Sequence, residues 1–143
     1  MSKEKLFYVG VKALVQNDQG EILVLKSSLR NHSAGAVIYW DIPGGRIEEG
    51  GNALDTLKRE MEEETGIKEI SEVKFKTVVI SHHEIPIDES RNAGLVLMVY
   101  TVKISPDAEI ILSDEHTEYG WVEPGVAAER LANKYPAEFT STL

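Results

Sequence analysis

The chain has no cysteine, so neither a disulfide framework nor a thiolate metal site is open to it. No apolar run approaches the roughly 18 residues of a membrane-spanning helix, so no membrane partner is expected. MSKEKLFYVG at the N-terminus passes from charged residues straight into strand-like sequence, without the apolar stretch or cleavage site of a signal peptide. These absences lead us to expect a cytoplasmic protein. Basic residues are few beside acidic ones, 15 against 24, for a formal charge of −9. That field repels nucleic acid and anionic lipid, so no nucleic-acid partner is expected. It repels a polyphosphate too, unless a bound divalent cation reverses the sign locally. The composition, 42% hydrophobic and 27% charged, is that of a folded domain and not of a disordered chain. One domain spanning 1–143 is expected, and a homodimer is left open.

Strand-like runs occupy 7–18 and 21–28, joined through a turn signal at Asp18-Gln19-Gly20. A polar loop follows at 30–36, then a short strand at 37–42 stopped by Pro43-Gly44-Gly45. Asn52 suits a helix N-cap and Gly66 a C-terminal stop, which places a helix over Ala53–Thr65. Further strands are expected at 73–84, 93–104 and 119–123, with a shorter extended piece at 108–112. The run at 93–104 is apolar throughout, as in a central strand covered on both faces. Pro124 begins a last helix, about 124–133. This order predicts an α/β fold, a mixed sheet with helices packed on it.

The helix raises a problem of charge. Glu60, Glu62, Glu63 and Glu64 crowd its C-terminal end, the negative end of its dipole. Each carboxylate there costs about 0.3–1 kcal/mol, and like pairs three or four apart cost about 0.2–0.5 more. At about 100° per residue, Leu54, Leu57 and Met61 form the apolar arc, and Glu60, Glu63 and Glu64 form one stripe beside it. Glu62, Lys58 and Asp55 point away. A solvated acidic face is the bland explanation. Three carboxylates on one stripe, behind a loop holding four glycines, instead suit a hard divalent cation with oxygen ligands.

GGRIEEGGNALDTLKREMEEETGI (44–67) resembles the Nudix box, G-x5-E-x7-R-E-U-x-E-E-x-G-U, where U is bulky and apolar. Gly45, Arg59, Glu60, Met61, Glu63, Glu64, Gly66 and Ile67 meet the pattern. Trp40-Asp41-Ile42-Pro43-Gly44 resembles the usual approach to the box, and DEHTEYGWVEP (114–124) resembles a late segment of the family. One position departs: Gly51 stands where the box has a glutamate that supports its arginine, so Arg59 needs another partner, Glu63 or Glu48.

The resemblance implies a Nudix-type α/β/α sandwich that hydrolyses a nucleoside diphosphate linked to another group, with Mg2+ or Mn2+ as cofactor. It implies Glu60, Glu63 and Glu64 as metal ligands, the Gly44 carbonyl as a further one, and Glu115 as a ligand or base. Family members differ on the base, so Glu60, Glu63 and Glu115 stay open, with Arg59 in the catalytic set. Lys26 and Arg46 are candidates for substrate phosphates. His116 is read as a non-ligand, His82 and His83 as surface residues near the cleft, and Trp40 and Trp121 as packing residues. A MutT-like conversion of a nucleoside triphosphate to monophosphate and pyrophosphate is the leading expectation. The alternative is a non-catalytic domain that binds a nucleotide-like ligand, for which Gly51 is the one support.

Overall fold

A computed structural model describes residues 3–28 and 38–143 of the chain. The loop expected at 30–36, and the first residue of the strand expected at 37–42, lie outside the described residues.

Strand β1 (Phe7–Val15) runs parallel to β7 (Asn92–Lys103) in unbroken register from Phe7↔Gly94 to Val15↔Val102. β4 (Gly44–Arg46) pairs antiparallel on the other side of β1, and β5 (Ser71–Ile80) antiparallel on the other side of β7. The short β6 (Ile85–Pro86) joins the end of β7. The result is a mixed five-stranded sheet with β7 inside it, as its apolar sequence predicts. A second sheet, antiparallel, has the order β3 (Trp40–Asp41), β2 (Ile22–Ser27), β8 (His116–Val122). The turn after β1 therefore joins strands of different sheets, which among the described residues share one isolated bridge, Gln16↔Ile22. Turn chemistry alone does not reveal that split.

Alternation along β1 sends Val11, Ala13 and Val15 to one side and Leu14 to the other, dividing the interior into two clusters. Helix α1 (Ala53–Thr65) covers the first with Leu57 and Met61, each fully buried. Each contributes roughly 1.5–3 kcal/mol by leaving water. Helices α2 (Pro124–Leu131) and α3 (Ala137–Thr140) close the second with Leu131 and Phe139. Helices on both sides of strands make the expected α/β sandwich.

The bounds of α1 agree with those read from the sequence. Asn52 accepts the Asp55 N–H, and Gly66, at φ 76°, donates its own N–H to the Glu62 carbonyl. Its inner face differs from the expected arc: Leu54 is 48% exposed, while Thr56, Glu64 and Thr65 are buried beside Leu57 and Met61. The arc turns toward Glu64 because that carboxylate has a partner inside, described below. Residues 108–112 form no strand; Ile111 donates to the Thr65 carbonyl at the end of α1. β8 starts at His116, three residues before its expected beginning, and α2 stops at Leu131.

Candidate active site

Gly44 and Gly45 bring β4 against both β1 and α1. Gly44 has φ 150°, and a Cβ there would lie 2.0 Å from the Val11 carbonyl oxygen. A Cβ on Gly45 would lie 2.5 Å from the Glu60 carboxyl carbon. The two glycines thus let the Glu60 and Glu64 carboxylates reach the backbone of the loop. Glu64 accepts the Gly44 N–H at 2.9 Å. Burial pushes its carboxyl up to about 8, against the pull of Lys12 and that N–H. Glu60 is raised as well, by burial and by Glu63, with Arg59 opposing.

Two adjoining cavities meet along Gly44, Gly45, Arg46, Glu64 and Glu115. The inner one, about 290 Å³, extends past His116 to Tyr39, Ile85, Leu95, Leu97 and Lys134. An outer one, about 490 Å³, extends past Glu60 to Tyr8 and Glu48. Ligand atoms of Glu64 and Glu115, which line both cavities, and of His116, which lines the inner one, all lie within 4.8 Å of one another. Burial lowers the pKa of His116, which keeps the imidazole neutral at neutral pH. Its Nδ1 is buried and has no hydrogen-bond partner among the described residues. An unpaired ring nitrogen beside two carboxylates is a donor set that fits a divalent cation.

The structure gathers Gly44, Arg46, Glu60, Glu64 and Glu115 on one groove. Glu63 stands outside those walls, its side chain 54% exposed and 3.4 Å from Arg59. Arg59 compensates for Gly51 through three carboxylates: Glu60 and Glu63 at 3.4 Å, and Glu48 at 3.9 Å. Lys26 faces away from both cavities, 3.9 Å from Glu118 and 6.0 Å from the centre of the Trp40 ring. Arg46 lies 5.1 Å from the Tyr8 ring. Trp40 and Trp121 pack against the two core clusters. His83 pairs with Asn133 at 2.7 Å, and neither it nor His82 lines the groove.

A buried ion cluster, which sequence reasoning missed, forms the inner floor. The Asp41 Oδ2 accepts from Lys12 Nζ at 2.9 Å and Lys134 Nζ at 2.7 Å. Its Oδ1 accepts from the Tyr135 hydroxyl at 2.5 Å and the Ile42 N–H at 2.8 Å. Burial alone would raise the Asp41 pKa, but the two lysines hold it well below the usual carboxylate range. Burial pulls Lys134 down to about 8 despite Asp41. Lys12 moves up instead, because Asp41 and Glu64 together outweigh its burial. One signal was readable: Lys12 is a lone charge inside the apolar run GVKALV.

Residues 6–143 match the NUDIX domain family. A MutT-like protein of Streptomyces ambofaciens is 27% identical over 139 residues, covering 96% of this chain and 78% of that protein. The nucleoside triphosphatase NudI of Escherichia fergusonii is 28% identical over 123 residues, with 78% of each chain covered. An octanoyltransferase of Myxococcus xanthus is 29% identical over 94 residues, covering 65% of this chain but only 25% of that longer protein. The crystal structure of a MutT protein from Methanosarcina mazei Go1 superposes with a TM-score of 0.70 at 29% identity, covering 98% of this chain and 92% of that one. Sheet order, glycine loop and acidic helix agree with these likenesses, and the chain belongs to the Nudix family of pyrophosphohydrolases.

Proposed function

We propose that the protein hydrolyses a nucleoside triphosphate to monophosphate and pyrophosphate, with Mg2+ or Mn2+ as cofactor. The observation that carries this reading is the Glu64, Glu115 and His116 cluster, whose two carboxylates border both cavities and whose imidazole lines the inner one. Support for the substrate class comes from the MutT-like and nucleoside triphosphatase relatives.

Glu64, Glu115 and His116 would hold the cation with Glu60 and the Gly44 carbonyl, Glu63 lying outside the groove against Arg59, and no thiolate competes to favour a softer metal. When bound, such a cation supplies charge neutralisation at the phosphate oxygens, which the net charge of −9 makes necessary. Arg46 adds a positive charge on the rim, where phosphates would lie. Arg59 ties Glu60 and Glu63 together and so keeps the stripe in place. Glu115 is exposed and borders both cavities, which suits it to orient the attacking water and take its proton. The water oxygen forms a bond to phosphorus, the bond from that phosphorus to the bridging oxygen breaks, and pyrophosphate leaves. Lys26 enters only as a residue beyond the groove, pairing with Glu118.

The test is pyrophosphate release from a panel of nucleoside triphosphates, with Mg2+, with Mn2+ and with EDTA, for wild type and Glu115→Gln. Metal-dependent release that falls about 100-fold or more in the variant supports the reading. No release from any nucleotide with either metal would favour the binding-only alternative.

A further inference from the structure

Lys134 is buried, lines the inner cavity and shares the Asp41 Oδ2 with Lys12. Its backbone is fixed there: its carbonyl accepts the Ser81 hydroxyl and the His82 N–H, each at 2.9 Å. Two ammonium groups therefore share one carboxylate inside the fold, an arrangement that hydrophobic residues of similar size would often match or better for stability. Function is the remaining reason to keep it.

The cavity that Lys134 lines has polar walls, among them Ser27, Glu115 and His116, and an apolar and aromatic part made of Tyr39, Ile85, Leu95 and Leu97. Lys134 Nζ spends one of its three donors on Asp41 and lies 5.3 Å from the centre of the Tyr39 ring. Lys12 spends donors on Asp41 and on the Ile42 carbonyl. Asp41 has no acceptor left to give, since Lys12, Lys134, Tyr135 and the Ile42 N–H fill its four lone-pair positions. Lysine cannot accept. This end of the cavity thus reads acceptors and offers an amino group nothing from Asp41 or the lysines.

A phosphate is the wrong occupant for it. The ionised Asp41 beside both ammonium groups already offsets their charge and repels a dianion, so a neutral acceptor is the better match. A flat neutral ring suits the walls, and an oxygen on its edge suits the lysine.

We infer that Lys134 is a specificity-determining residue, selecting nucleotides whose base presents an oxo group in place of an exocyclic amino group. The inference rests on the nucleoside triphosphate reading above and narrows its substrate class. A site built to donate to an oxygen penalises the partner that turns an N–H toward it, because both donors then go unpaired. Lys12, which spends donors on both Asp41 and the Ile42 carbonyl, holds Asp41 in place.

Matched pairs test this: UTP against CTP, and ITP against ATP, each differing at the edge by oxo and amino. Wild type is expected to favour the oxo member by about 10-fold or more in kcat/KM, mostly through KM. Lys134→Met should bring both ratios close to 1, and Lys134→Gln, which can donate or accept, should flatten them too. Equal kcat/KM within both pairs overturns the inference, as does a preference that survives in Lys134→Met. If Lys134→Met weakens inhibition by inorganic pyrophosphate as much as it weakens UTP, the lysine belongs to the phosphates and the inference fails. Should none of the four triphosphates be hydrolysed, the hydrolase reading falls alone. Titration of wild type with UMP, CMP, IMP and AMP then decides the pocket, and equal dissociation constants overturn it. The wild-type comparisons need no variant, so an unstable substitution does not remove the test.

Discussion

Replacing Asp41 by Asn removes the one anion that two buried ammonium groups share. Asp41 is 4% exposed, Lys12 5% and Lys134 6%, so water cannot take over. Asparagine keeps one acceptor oxygen and turns its N–H2 either toward both lysines or toward the Tyr135 hydroxyl and the Ile42 N–H, so donors face donors in either orientation. Removing one partner of a buried pair typically costs about 3–5 kcal/mol, because the other charge stays buried. For a chain of this size that corresponds to a fall in Tm of roughly 6–20 °C. Lys134→Met works the other way: it leaves Lys12 and Asp41 as a balanced pair, and a change of only a few degrees is expected. In the double variant, Asp41→Asn should cost about half of what it costs alone. The pH dependence has a definite sign. Asp41 is depressed in the folded state, so its stabilisation is present above the ordinary carboxylate pKa and is lost as pH falls below it. The gap between wild type and Asp41→Asn should therefore hold steady from pH 7 to 5 and narrow below about 4. Thermal melts in EDTA across that range measure it. An Asp41→Asn protein that melts within two or three degrees of wild type at pH 7 would refute the account of the inner floor.

Saturating Mg2+ should raise the Tm relative to EDTA, since a cation at 100 times its dissociation constant adds about 2.7 kcal/mol when it binds only the folded state; superimposed melts would count against the metal site. Protons compete for Glu64, whose carboxyl burial holds near 8, so the apparent Mg2+ affinity should climb between pH 6 and 8 by up to about tenfold per unit. Calorimetric titration reads this directly, and a flat profile would exclude Glu64 as a ligand. Gly44→Ala and Gly45→Ala should separate fold from function. The first drives a Cβ into the Val11 carbonyl and should lose much of the stability, while the second meets only the movable end of Glu60 and should cost turnover more than Tm. Gly51 has no positive φ, so Gly51→Glu meets no backbone strain of that kind, but its Cβ would lie 3.1 Å from the Glu48 carbonyl oxygen and the loop must shift by a few tenths of an ångström to take it. A carboxylate there should compete with Glu48 for Arg59 and tighten Mg2+ up to about tenfold, and unchanged binding would show that Glu48 already suffices.

The acidic helix was legible because its signals are local. Asn52 and Gly66 cap it through bonds to residues three or four away, and a fixed angular step puts its glutamates on one stripe. Glu64 shows where that reading stops. Angle alone places it on the acid stripe, but its burial and its raised pKa come from β4, the neighbouring Gly44 N–H and Lys12. The exposure of Leu54 has the same origin, since the helix turns Glu64 inward at its expense.

The inner floor was illegible for a stronger reason. Lys12, Asp41 and Lys134 come from β1, β3 and the segment after α2, and 93 residues separate Asp41 from Lys134. Each has an ordinary local reading: a strand residue, a box-approach residue, a surface lysine after a helix. Only closure of α2 and α3 over the second core cluster brings the three together. His116 belongs to the same class, a strand-starting histidine whose donor role depends on how β8 aligns beside β2. The family motif therefore locates the reacting end of the groove, and long-range pairing builds the end that faces the rest of the substrate. On the proposal above, substrate choice is made at that second end, so Lys134 and Asp41, which lie outside the box, are where a change of preferred base should be sought.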